Sequence, residues 1–354
     1  EHYSNRDFAI FYRTNAQSRI FEEHCRRENL PYIVVGSVKF YERKEIKDIL
    51  AYMRFIANTD DTVSLLRIIN TPSRGIGAST IEKLRDAAYV HTTSEWNIIA
   101  NNQNYSYKLS PALHSFKELM QKLIDRVNDI PAHNKLSEIC ISILNDTQYK
   151  STLESENSIE ARGRLENIDA FVNSIVEYEH LHPEATLFEF LQDISLLSPA
   201  DETNASAPEG NNAITLMTVH NAKGLEFPVV FLTGMEEGLF PHANAIDSDE
   251  GIEEERRLCY VGITRAKDRL FITSAELRRS WGTTQFKEAS RFISELPPAL
   301  CQFHHYSSSY NNWDMPKTNN NNYNYRANNS QTATALHNND SHYTVNQRVK
   351  HPSF

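Results

Sequence analysis

Nowhere in the 354 residues is there a GxxxxGK[ST] phosphate loop, and no Walker B acid pair stands in a strand context. Gly75-Ile76-Gly77 and Lys223-Gly224 do not replace that loop, so any nucleotide site carried here lacks its phosphate cradle. Cysteine is scarce: Cys25, Cys140, Cys259 and Cys301 are scattered with no CxxC pair. That pattern argues against a zinc site or a disulfide framework and for a reducing, cytoplasmic setting. No run of about 18 apolar residues occurs, which excludes a membrane-spanning helix. The opening EHYSNRDFAIFY has neither the basic start nor the apolar stretch of a signal peptide. Positive charge is also in deficit, 36 Lys and Arg against 46 Asp and Glu for a net −10. Net charge alone therefore does not draw the chain to nucleic acid or to an anionic membrane, although a local basic groove stays compatible with it.

What is present is a globular composition, 40% hydrophobic and 23% charged, with material for roughly two domains of ~150 residues. Phe8-Ala9-Ile10-Phe11-Tyr12 is continuously apolar, the pattern of a strand buried on both faces. A helical stretch follows with Ile20, Phe21, His24 and Cys25 on one side, and Tyr32-Ile33-Val34-Val35 predicts a second strand. Strand, helix, strand opens an α/β layer.

From Lys44 to about Leu197 the period is helical. Ile46, Ile49, Leu50 and Met53 form one stripe, and Leu113, Phe116, Met120, Leu123 and Val127 a second. Leu136, Ile139, Cys140 and Ile143 form a third, and Leu165, Ile168, Val172 and Ile175 a fourth. Thr186 with Glu189 is a capping-box start for a last helix carrying Leu187, Leu191 and Ile194. Ser198 to Asn212 is Pro-, Ala-, Ser-, Asn- and acid-rich, a linker or exposed loop. Strands return at Ile214 to Val219, Val229 to Leu232 and Leu270 to Thr273, with a helix over Glu253 to Thr264. The simplest architecture is one α/β domain split in sequence by an inserted helical domain. From Pro298 the chain is Asn- and Ser-rich and lacks the apolar surface that offsets ordering entropy, so disorder is expected. The absent start Met and the abrupt end lead us to expect a fragment of something longer.

Three segments carry candidate chemistry. Thr218-Val219-His220-Asn221-Ala222-Lys223-Gly224-Leu225-Glu226-Phe227-Pro228 lies between two strands. It reads either as a ligand site at a sheet edge or as an ordinary connection with a solvated Lys and Glu. In Glu253-Glu254-Glu255-Arg256-Arg257-Leu258-Cys259-Tyr260-Val261-Gly262-Ile263-Thr264-Arg265-Ala266 the acids suit a helix first turn, and Glu253 and Arg257 are spaced to pair. Arg265 falls at the helix end, where its planar fork can reach a phosphate. Asn70-Thr71-Pro72-Ser73-Arg74-Gly75-Ile76-Gly77-Ala78-Ser79-Thr80 leads into a helix with Ile81, Leu84 and Ala88. It is either a phosphate-holding hairpin or a turn capped by Ser79 or Thr80.

These segments, with Tyr12-Arg13-Thr14-Asn15-Ala16-Gln17-Ser18-Arg19 and Phe40-Tyr41-Glu42-Arg43-Lys44-Glu45-Ile46-Lys47-Asp48, resemble the UvrD/PcrA/Rep group of superfamily 1 DNA helicases, in order, from about residue 8 to 297. The resemblance implies a RecA-like second motor domain at 1–36 and 211–297, split by a helical domain at 37–210. A polar tail at 298–354 would end at the start of a Tudor-like module, since Gln347 to Phe354 is similar to its opening. TVHNAKGLEFP looks like motif V, with Glu226 on the nucleotide ribose, Gly224 beside it, and Thr218 and His220 at the DNA backbone. VGITRA looks like motif VI, with Arg265 as an arginine finger to the γ-phosphate. Arg13, Asn15 and His242 match single-stranded DNA positions, Trp281 matches a base-stacking one, and Gly75, Gly77 and Thr80 match a duplex-gripping hairpin.

The implied activity is ATP-dependent 3′-to-5′ helicase action in DNA repair or replication, with ATP and Mg²⁺ as cofactors. Its partners would be single-stranded DNA and single/double-strand junctions, with repair proteins or RNA polymerase beside them, and no membrane. No protein-metal site is implied. Two other readings stand beside this one: a DNA-binding or protein-docking module without motor activity, and a catalytically dead scaffold. Retention of Arg265, Glu226 and His220 speaks against the scaffold.

Overall fold

The computed structural model describes residues 3–129, 136–196, 212–280 and 283–305. Most of the expected linker, Trp281, and the tail from 306 onward with its Tudor-like opening lie outside them. The chain divides into a unit of Glu1–Ile293 and a second of Ser294–Phe354. In the second, the described residues include one short 3-10 turn, Pro298–Leu300.

Within the first unit, β1 (Phe8–Tyr12), α1 (Ser18–Arg27) and β2 (Tyr32–Val35) lead into nine helices among the described residues. These are α2 (Lys44–Ala57), α3 (Thr62–Ile68), α4 (Ala78–Val90), α5 (Glu95–Ala100), α6 (Pro111–Asp129), α7 (Leu136–Asp146), α8 (Tyr149–Glu156), α9 (Ile159–Leu181) and α10 (Leu187–Leu196). The chain then returns through β3 (Ile214–Thr218), β4 (Phe227–Leu232), α11 (Asp249–Ile263) and β5 (Ala266–Ile272). A hairpin of β6 (Leu277–Ser280) and β7 (Thr283–Phe286), which the sequence reading did not anticipate, precedes α12 (Arg291–Ser294).

The five main strands form one parallel sheet in the order β2-β3-β1-β4-β5. The unbroken apolar run of β1 is explained by burial on both faces. Ala9 and Phe11 join Met217, Val230, Leu232, Ile252 and Cys259 on the side covered by α11. Ile10 and Tyr12 pack with Leu216, Phe21 and Cys25 on the side covered by α1. The four helical stripes read from the sequence meet in a separate apolar core, with Ile46, Phe116, Cys140 and Phe171 fully buried in it. Each such side chain contributes about 1.5–3 kcal/mol by leaving water. The capping box forms: Thr186 N–H donates to Glu189 Oε2 at 2.8 Å, and Glu189 N–H donates to Thr186 Oγ1 at 3.3 Å.

Two expectations are corrected. On α1, Ile20 is 51% exposed and His24 faces solvent, while Ser18, Arg19, Glu22 and Cys25 are buried. The polar residues turn inward because they complete a network with the helical block. Arg43 donates to Ser18 Oγ at 2.8 Å and to Asn167 Oδ1 at 2.7 Å. Glu22 accepts from Ser18 Oγ at 2.6 Å and from the Phe40 N–H at 3.1 Å, and Asn167 donates to Glu45 at 2.5 Å. Buried polar groups satisfied this fully hold their positions strongly. The second correction concerns α11, which begins at Asp249 with Ser248 as its cap. The first-turn acids are thus Asp249 and Glu250, and Glu253 pairs with Arg256 while Glu254 pairs with Arg257 at 2.9 Å.

Candidate functional site

Because the sheet is parallel, all strand ends lie on one edge and all strand starts on the other. The candidate residues divide accordingly. Arg13, Asn15, Thr218 and His220 follow or close β1 and β3 at the carboxyl edge, and the loop after β4 brings His242 there. Glu226 and Arg265 immediately precede β4 and β5 at the amino edge. The segment 219–226 therefore crosses the sheet instead of staying at one edge, because β3 and β4 run parallel on either side of β1. Its near end is marked by Asn221, which donates to the Val35 carbonyl at 3.4 Å, and its far end by Leu225, whose carbonyl accepts from Arg265 at 3.3 Å. Five to six strand residues at ~3.3 Å each put the edges roughly 17–20 Å apart.

At the carboxyl edge, Arg13 lays its guanidinium on the Glu255 carboxylate. Nε donates to both oxygens at 3.0 Å and Nη2 donates to Oε1 at 2.7 Å. The His242 backbone N–H donates to Glu255 Oε2 at 3.0 Å, and the His242 ring meets Glu166 of α9 at 3.1 Å. Burial opposes ionisation of Glu255, but the hydrogen bonds from Arg13 and from the His242 backbone outweigh it and hold the carboxyl below its ordinary pKa. The His220 ring, though it reaches solvent, has its pKa lowered first by partial burial and then by the Arg13 charge, which favours the neutral imidazole. Gln17 fixes the turn carrying Asn15: its side-chain oxygen accepts from the N–H groups of Arg13 and Thr14, both at 2.9 Å. Asn15 is exposed and Thr218 is buried.

The amino edge is looser. Arg265 donates to the carbonyls of Val261 at 3.2 Å and Leu225 at 3.3 Å and to Thr264 Oγ1 at 3.1 Å. Among the described residues it makes no ion pair with a carboxylate. Glu226, one residue from Leu225, is half exposed and meets Lys267 only at 3.8 Å. Gly224 has φ +86°, a left-handed conformation that favours glycine, so the chain can turn there toward Glu226.

The remaining candidates lie apart from both edges. Gly75 and Gly77 lie in the helical block between α3 and α4, and Thr80 lies in the first turn of α4. Gly75 has φ +74° and needs glycine; Gly77 has φ −85° and does not. Gly77 is the helix N-cap and makes no side-chain cap bond, so the alternative of capping by Ser79 or Thr80 is not built. The Asn70 side chain holds the turn by accepting from the N–H groups of Arg74 at 2.7 Å and Ile76 at 3.1 Å. Trp281 lies outside the described residues; the hairpin strands flanking it are anchored by Arg278 on the fully buried Glu236, at 2.5 and 2.8 Å.

Sequence reasoning missed Glu255, Glu236 and Gln17. Glu255 was legible in principle, since Ile252, Glu255, Cys259 and Gly262 make one buried helical stripe containing a single acid. Among the described residues, no group of three or more His, Cys, Asp or Glu side chains is placed to hold a metal, and no helix is long and apolar enough to cross a membrane.

The UvrD-like helicase C-terminal domain family matches residues 1–277. The ATP-dependent DNA helicase PcrA of Bacillus subtilis is 45% identical over 300 residues, covering 84% of this chain and 40% of the relative. The proteins of the same description from Staphylococcus aureus and Staphylococcus epidermidis are each 46% identical over 304 residues, with the same coverage. The chain thus spans about two fifths of the length of the curated relatives it matches.

Proposed function

The chain belongs to the UvrD-like helicase C-terminal domain family, and on that premise we propose that it is the second motor portion of an ATP-dependent 3′-to-5′ DNA helicase and translocase. In this reading the amino edge completes a nucleotide pocket and the carboxyl edge forms part of a single-stranded DNA track. The observation that carries it is Arg265, whose guanidinium bonds the Leu225 carbonyl, one residue before Glu226, and reaches only neutral oxygens among the described residues. Neutral hydrogen bonds contribute only about 1 kcal/mol each, so they can be exchanged for an incoming phosphate.

The donor set fits a nucleotide in part. Glu226 supplies a carboxylate for ribose hydroxyls, and Arg265 supplies a fixed positive charge for the terminal phosphate. ATP supplies the phosphoryl-transfer chemistry when bound, and Arg265 neutralises the charge that develops in it. Mg²⁺ would accompany the ATP phosphates; among the described residues no group of three or more His, Cys, Asp or Glu is placed to hold a metal. At the other edge, Arg13, Asn15, Thr218, His220 and His242 contact the DNA backbone, Trp281 stacks on a base, and the Gly75, Gly77 and Thr80 turn holds duplex phosphates. The functional division would fall at 1–36 with 211–297 for the motor and 37–210 for the helical insertion. Action in DNA repair or replication in the cytoplasm, alongside repair proteins or RNA polymerase, completes the proposal.

The test is ATP hydrolysis with and without single-stranded DNA. The chain alone should show none. Joined to a phosphate-loop motor half it should hydrolyse ATP, and Arg265→Ala should cut that turnover roughly 10³-fold or more. Turnover by the chain alone, or an unaffected Arg265→Ala protein, would refute the reading.

A further inference from the structure

The buried stripe of α11 holds one carboxylate, Glu255, which is 4% exposed and so reaches no ligand itself. An unpaired charge there would be strongly unfavourable. It is compensated from two loops that are distant in sequence, by Nε and Nη2 of Arg13 after β1 and by the His242 N–H after β4. Both partners are residues that the proposed function sets at the DNA backbone. The third, His220, lies close enough that the Arg13 and Glu255 charges act on its titration. Arg13 engages Glu255 through Nε and Nη2, which leaves Nη1 for a second acceptor.

We propose that Glu255 is a positioning residue of the DNA track: it orients the Arg13 fork and fixes the His242 loop so that both meet neighbouring backbone phosphates of one strand. The inference rests on the function proposed above. Glu255 stands on the helix that ends just before Arg265, and eight residues at ~1.5 Å place it about 12 Å from that end of the helix. One rigid element thus carries the clamp of one edge and leads to the arginine of the other.

The same geometry has a competing interpretation, in which Glu255 occupies Arg13 in place of a phosphate and must release it when DNA binds. Two observations disfavour that. Release would strip a buried carboxylate of its main partner, and Glu255 holds the His242 backbone as well as Arg13. A bidentate pair with one further anchor on the same carboxylate suits a fixed bracket better than a latch.

Fluorescence anisotropy of a labelled oligothymidylate, titrated with the 354-residue chain over a KCl series, separates the possibilities. Arg13→Ala should weaken binding roughly tenfold and lower the salt slope by about 0.7, the loss of one phosphate contact. Glu255→Gln should lose a similar factor and a similar part of the slope, and the double variant should lose no more than Arg13→Ala alone. A merely structural Glu255 would leave the slope unchanged, and a competitor would make Glu255→Gln bind tighter; either result overturns the proposal. If Arg13→Ala itself binds normally, the track reading fails and this inference falls with it. If only Glu255→Gln binds normally, this inference alone fails. Should Glu255→Gln not fold, Arg13→Lys keeps the charge but cannot fork, and it should weaken binding about as much as Arg13→Ala. Undiminished binding by Arg13→Lys would overturn the bracket.

Discussion

At the carboxyl edge of the sheet, Arg13 gives Nε and Nη2 to a buried carboxylate. At the amino edge, Arg265 bonds to two carbonyls and a hydroxyl. Two arginines on one sheet are thus held by different chemistry. A charge-assisted fork at 2.7–3.0 Å is roughly twice as strong as a neutral bond and fixes the plane of the guanidinium. Neutral acceptors at 3.1–3.3 Å steady an arginine without committing its charge. The contrast teaches that one edge fixes its arginine by a charged fork while the other leaves its arginine's charge uncommitted.

Three substitutions press on this contrast, in descending order of effect. Arg43→Ala removes the centre of the buried network that ties α1, beside the carboxyl edge, to the helical block, and it leaves Glu22 short of a counter-charge. It should cost about 3–5 kcal/mol in urea unfolding, as breaking other buried charge networks does. A loss below about 1 kcal/mol would mean that the network is incidental.

Glu255→Gln should cost about 2 kcal/mol near neutrality, the scale of a charged hydrogen-bonded pair. Its pH dependence has a defined sign. The folded-state pKa of Glu255 lies below the ordinary 4.5, so its contribution is complete above 4.5 and is lost as pH falls through the folded value. The stability gap between native and Glu255→Gln protein should stay flat from neutrality down to 4.5 and close below it. A gap that widens on acidification would contradict the clamp.

Smallest is Glu226→Gln. An exposed pair at 3.8 Å contributes little, so stability should change by less than about 0.5 kcal/mol in the same unfolding measurement. A larger loss would mean that the amino edge is braced like the carboxyl edge.

Most of the scaffold was legible because its signals are periodic. The continuous apolar run of β1 and the stripe Leu113–Phe116–Met120–Leu123 each reported burial directly, and the Thr186–Glu189 spacing reported a cap. The buried face of α1 was not legible. Its residues are Ser18, Arg19 and Glu22, whose partners Arg43 and Asn167 arrive from distant positions. Glu255 was hidden for a similar reason: three successive acids read as first-turn residues suited to the helix dipole, and only the phase of α11 shows which one turns inward. Positions bordering strands, such as Arg13 after β1 and Arg265 before β5, could be named from sequence, but their assignment to opposite edges needed the parallel order of the sheet.

The division of labour between the edges can be tested on this chain alone by comparing oligothymidylate binding of Arg13→Ala and Arg265→Ala by anisotropy at low salt. Each variant removes one positive charge, so a difference between them reports position and not net charge. The account predicts a roughly tenfold loss for Arg13→Ala and an unchanged affinity for Arg265→Ala. Equal losses, or a loss confined to Arg265→Ala, would contradict it.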